Sequence, residues 1–133
     1  MQLVLIIAIS LHLLAGTFWA GTSFTMARTG GAGAEALFRP QMGAATMTIL
    51  AGAYLWHQLH EGSFGTMEQL LAAGAGAALI AAGVQGASCG PAIRALRSGG
   101  DEGRARARIA LGQRVGAGLL ALAAICMAAA RYA

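Results

Sequence analysis

Five residues of this 133-residue chain have types and positions that could do chemistry: His12, His57, His60, Glu61 and Arg114. His12 stands inside an otherwise uncharged run, Leu3 to Ala27. An imidazole carried into hydrocarbon costs free energy unless a partner satisfies it, so it points to function by default. Its partner can be a metal or haem iron, which a neutral ring nitrogen ligates, or a polar group on a neighbouring helix. Gly16 and Gly21 follow on the same run and would let a flat macrocycle, or simply another helix, come close.

His57, His60 and Glu61 are spaced i, i+3 and i, i+4, which places them on one face if the helix runs through them. Two imidazoles and a carboxylate so arranged can chelate copper or zinc. The same cluster also reads as a polar helix end wetted by headgroups, with Tyr54 and Trp56 as interfacial aromatics. Arg114 lies about two turns inside the last apolar stretch. It would either snorkel to the nearer surface or pair with an anionic cofactor group such as a propionate.

The elements that must position these residues are apolar. Hydrophobic residues make up 57% of the chain and charged residues 11%, against about 25% in soluble domains. The charges are clustered, which leaves four long uncharged stretches. The expected fold is an all-α integral membrane protein, a single domain of four antiparallel helices. Its spans are expected at about 3–27, 42–61, 67–90 and 109–130, each near the length that crosses a ~30 Å hydrocarbon core. Pro40 suits the first turn of the second helix. Pro91 is expected to kink the third or end its membrane part, with a helical extension carrying Arg94 and Arg97.

The nine basic residues are all arginine. Arg28, Arg39, Arg94, Arg97, Arg104, Arg106 and Arg108 fall on one side of the four spans, and only Arg131 on the other. The positive-inside rule then places the arginine loops in the cytoplasm and both termini outside. With no basic n-region, the first span reads as a signal anchor rather than a cleaved signal peptide. The positive charge at span ends orients the chain and does not imply nucleic acid. Cys89 and Cys126 lie in different stretches at different depths, which argues against a disulfide.

Counted inward at 1.5 Å per residue, His12 lies about 13 Å and His57 about 6 Å from the outer ends of their spans. A haem between the two is compatible with that gap, and so is ligation by one histidine with a polar group from span three or four. Gln85 reads as an interhelical hydrogen-bond donor, while Gln69 and Gln113 are further polar residues near or within spans. The pairs Gly86/Gly90 and Gly112/Gly116 have GxxxG spacing, which serves packing within one bundle or a dimer. No phosphate loop, nucleophile elbow, CxxC or carboxylate pair within a span is present. That disfavours hydrolases and nucleotide enzymes.

The stretch Leu11-His12-Leu13-Leu14-Ala15-Gly16-Thr17-Phe18-Trp19-Ala20-Gly21 resembles the first helix of a group of small four-helix bacterial membrane proteins. The group includes the HemJ-type protoporphyrinogen oxidases and the copper-resistance protein D (CopD) membrane domain. Leu37-Phe38-Arg39-Pro40 with Gly52, and Met127-Ala128-Ala129-Ala130-Arg131-Tyr132, look like the same group. The HemJ likeness implies a b-type haem on His12 in the bacterial inner membrane. It also implies a lysine early in span three, where this chain has Glu68 and Gln69. His57 would then be the second ligand. The CopD likeness implies copper handling by His57, His60 and Glu61. The expected function is therefore haem-based membrane electron transfer or porphyrin oxidation. The alternatives are a copper protein and a cofactor-free subunit of a larger membrane complex, with homodimerisation also open.

Overall fold

The computed structural model describes residues 1–60 and 62–133. Among them there are four helices and no strand: α1 (Gln2–Arg28), α2 (Ala34–Leu59), α3 (Thr66–Arg97) and α4 (Glu102–Ala130). α1, α3 and α4 are long and apolar enough to cross a membrane, whereas α2 is not among the helices that meet that measure. α3 packs most extensively on α4, α1 on α2 and on α4, and α2 only lightly on α3. Both cysteines are free.

The packing is inside-out by the standards of a water-soluble core. Leu3, Ile6, Leu13, Leu14 and Phe24 of α1 are exposed, as are Leu50, Leu79, Ile80, Leu111 and Ile125. The interior is built from Ala34, Ala45, Ala77, Ala78, Ala81, Ala117 and Ala123, with few large side chains. Small residues let helix axes approach, and the contact area then comes from backbone and Cβ atoms. α4 is seated on α3 in this way. A Cβ on Gly112 would lie 2.8 Å from the Ser88 Cβ, and one on Gly116 would overlap the Gln85 amide. So Gly112/Gly116 serves packing inside the chain. Gly86 and Gly90 do not: a Cβ on Gly86 would meet only the Met42 methyl at 4.0 Å, and one on Gly90 nothing.

The largest buried side chains besides Trp19, Met26 and Ile109 are polar: Gln41, Gln85 and Gln113. They form one network that draws on all four helices. Trp19 Nε1 donates to Gln85 Oε1 at 2.7 Å, and Gln85 Nε2 donates to Ser23 Oγ at 2.8 Å and Gln113 Oε1 at 3.1 Å. Gln41 and Gln113 face each other amide to amide, each donating to the other's carbonyl oxygen at 3.0 Å. Gln41 Nε2 also lies 3.1 Å from the hydroxyls of Ser23 and Thr22. The Ser23 hydroxyl donates to the Trp19 carbonyl at 2.8 Å, and Gln113 Nε2 reaches Cys89 Sγ at 3.4 Å. The expected donor role of Gln85 is met. Gln41 and Ser23 had no signal of their own in the sequence.

The helices start earlier or run further than the apolar stretches suggest. α2 begins at Ala34, so Pro40 lies inside it rather than in its first turn. α3 runs unbroken through Pro91 to Arg97. Proline has no N–H for the carbonyl of Ala87, four residues back. Arg108 Nη2 from α4 donates to that carbonyl at 3.3 Å. The starts of α3 and α4 are capped by acids: the Glu68 carboxylate accepts from the Gly65 N–H at 2.8 Å, and Asp101 from the Arg104 N–H at 3.2 Å.

The loop between α1 and α2 is tied to α4. Gly31 takes a left-handed φ of +83°, which glycine adopts without strain, and its carbonyl accepts from Arg106 Nη1 at 2.8 Å. Arg106 also forms a two-pronged pair with Glu35, with Nη2 2.9 Å from Oε2. The guanidinium's hydrogen bond holds the Glu35 carboxyl below its ordinary range. A carboxyl lowered on folding stabilises the protein above its unfolded pKa and loses that contribution as pH falls through the folded value. Both side chains are partly exposed, so the effect is at most about 1 kcal/mol. We therefore expect thermal stability in detergent to drop slightly in that acid window, and Glu35→Gln to remove the dependence.

The network makes a larger prediction. Gln113→Leu removes the acceptor shared by Gln41 and Gln85 and should cost about 1–3 kcal/mol for each amide left unsatisfied. Gln69 is exposed, so Gln69→Leu should change the denaturation midpoint little. Equal midpoints for the two variants would contradict the network's role.

Candidate functional site

His12 is half-buried, and its Nδ1 lies 2.8 Å from the Thr48 carbonyl oxygen. A carbonyl only accepts, so Nδ1 carries the proton, and in the neutral ring Nε2 keeps its lone pair. This is the arrangement in which a backbone acceptor fixes the tautomer and orientation of a metal-binding imidazole. The backbone of α2 makes room for the ring. A Cβ on Gly52 would sit 2.9 Å from His12 Cε1, so only glycine lets the imidazole lie there undisturbed. Thr48 turns its own hydroxyl back to the Ala44 carbonyl at 2.7 Å and does not compete for the ring.

The imidazole borders a cavity of about 480 Å³. That volume falls within the range of sites for small molecules and cofactors. Its walls come from all four helices and are apolar apart from the two histidines and Thr48: Ile49, Leu55 and Trp56 from α2, Leu71 and Ala78 from α3, and Met127 from α4. The light α2–α3 packing leaves this space.

The second imidazole at the cavity is His60. α2 ends at Leu59, and His60 takes an extended backbone, with φ −125° and ψ 110°. The i, i+3 relation of His57 to His60 assumed a continuous helix, and that assumption fails at this residue. The result separates the pair: His60 lines the cavity, while His57 is exposed and does not. The His60 ring stacks on Trp56, centroids 4.9 Å apart and planes 28° from parallel. Its Nδ1 is buried and has no hydrogen-bond partner among the described residues.

Glu61, expected with the two histidines, lies outside the described residues. Among the described residues no three His, Cys, Asp or Glu side chains converge as a metal site. Arg114 is on the exposed face of α4 and is not part of the cavity wall. The structure thus brings together His12 and His60, and leaves His57 and Arg114 on the outside. Sequence reading missed Thr48, whose contribution is a backbone carbonyl and so has no side-chain signature. It also missed the inward turn of His60, which depends on where α2 stops.

The Gly52 contact is testable. Gly52→Ala should overpack the site by about 1–3 kcal/mol, because the ring and the Thr48 carbonyl cannot both keep their places. Gly43 lies on the same helix with nothing within 4 Å of an added Cβ, so Gly43→Ala should stabilise by about 0.5–1 kcal/mol. Denaturation midpoints in detergent compare the two.

No protein-family model matches the chain, and neither does any curated protein or solved structure.

Proposed function

We propose that this chain is an integral membrane protein of four antiparallel helices that binds a b-type haem in the cavity bordered by His12 and His60, for membrane electron transfer or porphyrin oxidation. The membrane part rests on the inside-out pattern. Leucine, isoleucine and phenylalanine face outward, and glutamine, serine and alanine face inward. In water that surface would drive aggregation, whereas lipid is its matching solvent. The arginine-rich loops lie in the cytoplasm of a bacterial cell, with both termini outside, by the charge asymmetry of the loops.

One observation carries the haem part: His12 borders an apolar cavity with Nδ1 bonded to Thr48, and among the described residues Nε2 has no hydrogen-bond partner and keeps its lone pair for a metal. His60 Nδ1, which has no hydrogen-bond partner among the described residues, fits a second ligand at the same cavity. Haem, when bound, supplies one-electron chemistry. The protein's share is positional. Thr48 holds the His12 tautomer, Trp56 holds the His60 plane, and the walls offer a flat macrocycle an apolar surface. In this reading His60 takes the place that depth and the family resemblance gave to His57.

The test is an absorption spectrum of detergent-purified protein, oxidised and then dithionite-reduced. A Soret peak that sharpens on reduction, with α and β bands, is the expected result. His12→Ala and His60→Ala should each lose or shift those bands, and His57→Ala should keep them. A featureless spectrum from cells supplied with haem would overturn the reading. Loss in His57→Ala with retention in His60→Ala would overturn the ligand pair.

A further inference from the structure

A second cavity, of about 470 Å³, opens in the same α2–α3 seam at the arginine end of the protein. Its chemistry is unlike that of the histidine cavity. Phe38 of α2 and Pro91 and Ile93 of α3 give it apolar walls, and Arg39, Arg94 and Arg97 border it. Glu35, the one carboxylate on its wall, is already held by Arg106. Arg97 Nη2 donates to the Glu35 carbonyl at 3.3 Å, which leaves its other N–H groups available. Among the described residues no carboxylate pairs with Arg39, Arg94 or Arg97. The floor is open because Gly86 and Gly90 carry no side chain there: among the described residues an added Cβ would meet only the Met42 methyl, 4.0 Å from Gly86, and nothing at Gly90.

We propose that this cavity binds an anionic phospholipid. The guanidiniums of Arg39, Arg94 and Arg97 hold the phosphate, and an acyl chain lies over Gly86, Gly90 and Phe38. Guanidinium pairs well with phosphate because its N–H groups match two oxygens at once. Basic pockets between membrane helices on the cytoplasmic side are suited to anionic headgroups. A free phosphate would leave the apolar walls and glycine floor unused. A second copy of this chain is disfavoured by charge, since the same end carries seven arginines against Glu35, Asp101 and Glu102. The site depends on the membrane reading above and is independent of the haem.

The test is native mass spectrometry of the full chain with phosphatidylglycerol or phosphatidylcholine of identical acyl chains. Wild type should retain phosphatidylglycerol about tenfold more than phosphatidylcholine. The double variant Arg39→Gln, Arg94→Gln should lose that preference, while Arg104→Gln, at the same end but outside the cavity, should keep it. Gly90→Leu fills the floor and leaves every arginine in place, so it should also lose bound lipid. That variant serves if the arginine variant fails to fold.

Equal retention of the two lipids by wild type would overturn the proposal, and so would an unchanged preference in Gly90→Leu. Full displacement of phosphatidylglycerol by millimolar inorganic phosphate would point to a soluble anion and overturn it as well. Recovery of wild type in the soluble fraction would overturn the membrane reading and this site together. Membrane recovery without lipid preference would overturn this site alone.

Discussion

A buried amide has to find partners, and the glutamine network is where that requirement shapes the whole molecule. Gln41, Gln85 and Gln113 come from three helices, and Ser23 and Trp19 supply the fourth. Each carboxamide has two donors and an acceptor to satisfy, and the three amides do so with one another and with Ser23, Trp19 and Cys89. In a low-dielectric interior the alternative is an unpaired dipole, which is costly. An alanine core is poor at specifying one arrangement, because alanine contacts resemble one another in every register. The amides supply the missing specificity: sliding one helix by a residue would turn its glutamine out of the network.

The same requirement explains how tightly each pair of helices packs. Gly116 yields its side-chain space to Gln85, and Gly112 accepts Ser88, so α3 and α4 approach closely. α3 cannot be equally close to α2, and the two cavities open in that looser seam on either side of the network. Small residues thus have opposite effects in one helix. Gly74 of α3 lets α4 in, with the Ala123 carbonyl 3.1 Å from where its Cβ would lie, while Gly90 leaves a gap.

The ends of the molecule are chemically separated. One holds two imidazoles in apolar surroundings, and the other holds arginines. Arg106 and Arg108 have structural tasks there. Arg106 ties the first loop to α4, and Arg108 satisfies the carbonyl that Pro91 leaves without a donor. Arg106 is thus largely engaged inside the protein and Arg108 partly so. Among the described residues Arg39 and Arg94 make no such bond, which sets the cavity beside them apart from the general positive charge of that end.

The helical class, the approximate positions of the helices and the placing of His12 within an apolar segment were legible in the sequence. Each depends on local composition and on the lengths of uncharged runs. The partition of the arginines was legible for the same reason. Only the tertiary structure decided which histidine joins His12. Spacing relates His57 to His60 only while a helix continues, and α2 stops at Leu59. Tertiary structure also decided which glycine pair packs within the chain, because GxxxG marks a face without naming what lies against it. Gln41 and Ser23 gained their importance in the same way. A polar residue's partners belong to other helices, and sequence periodicity reports the face of one helix alone.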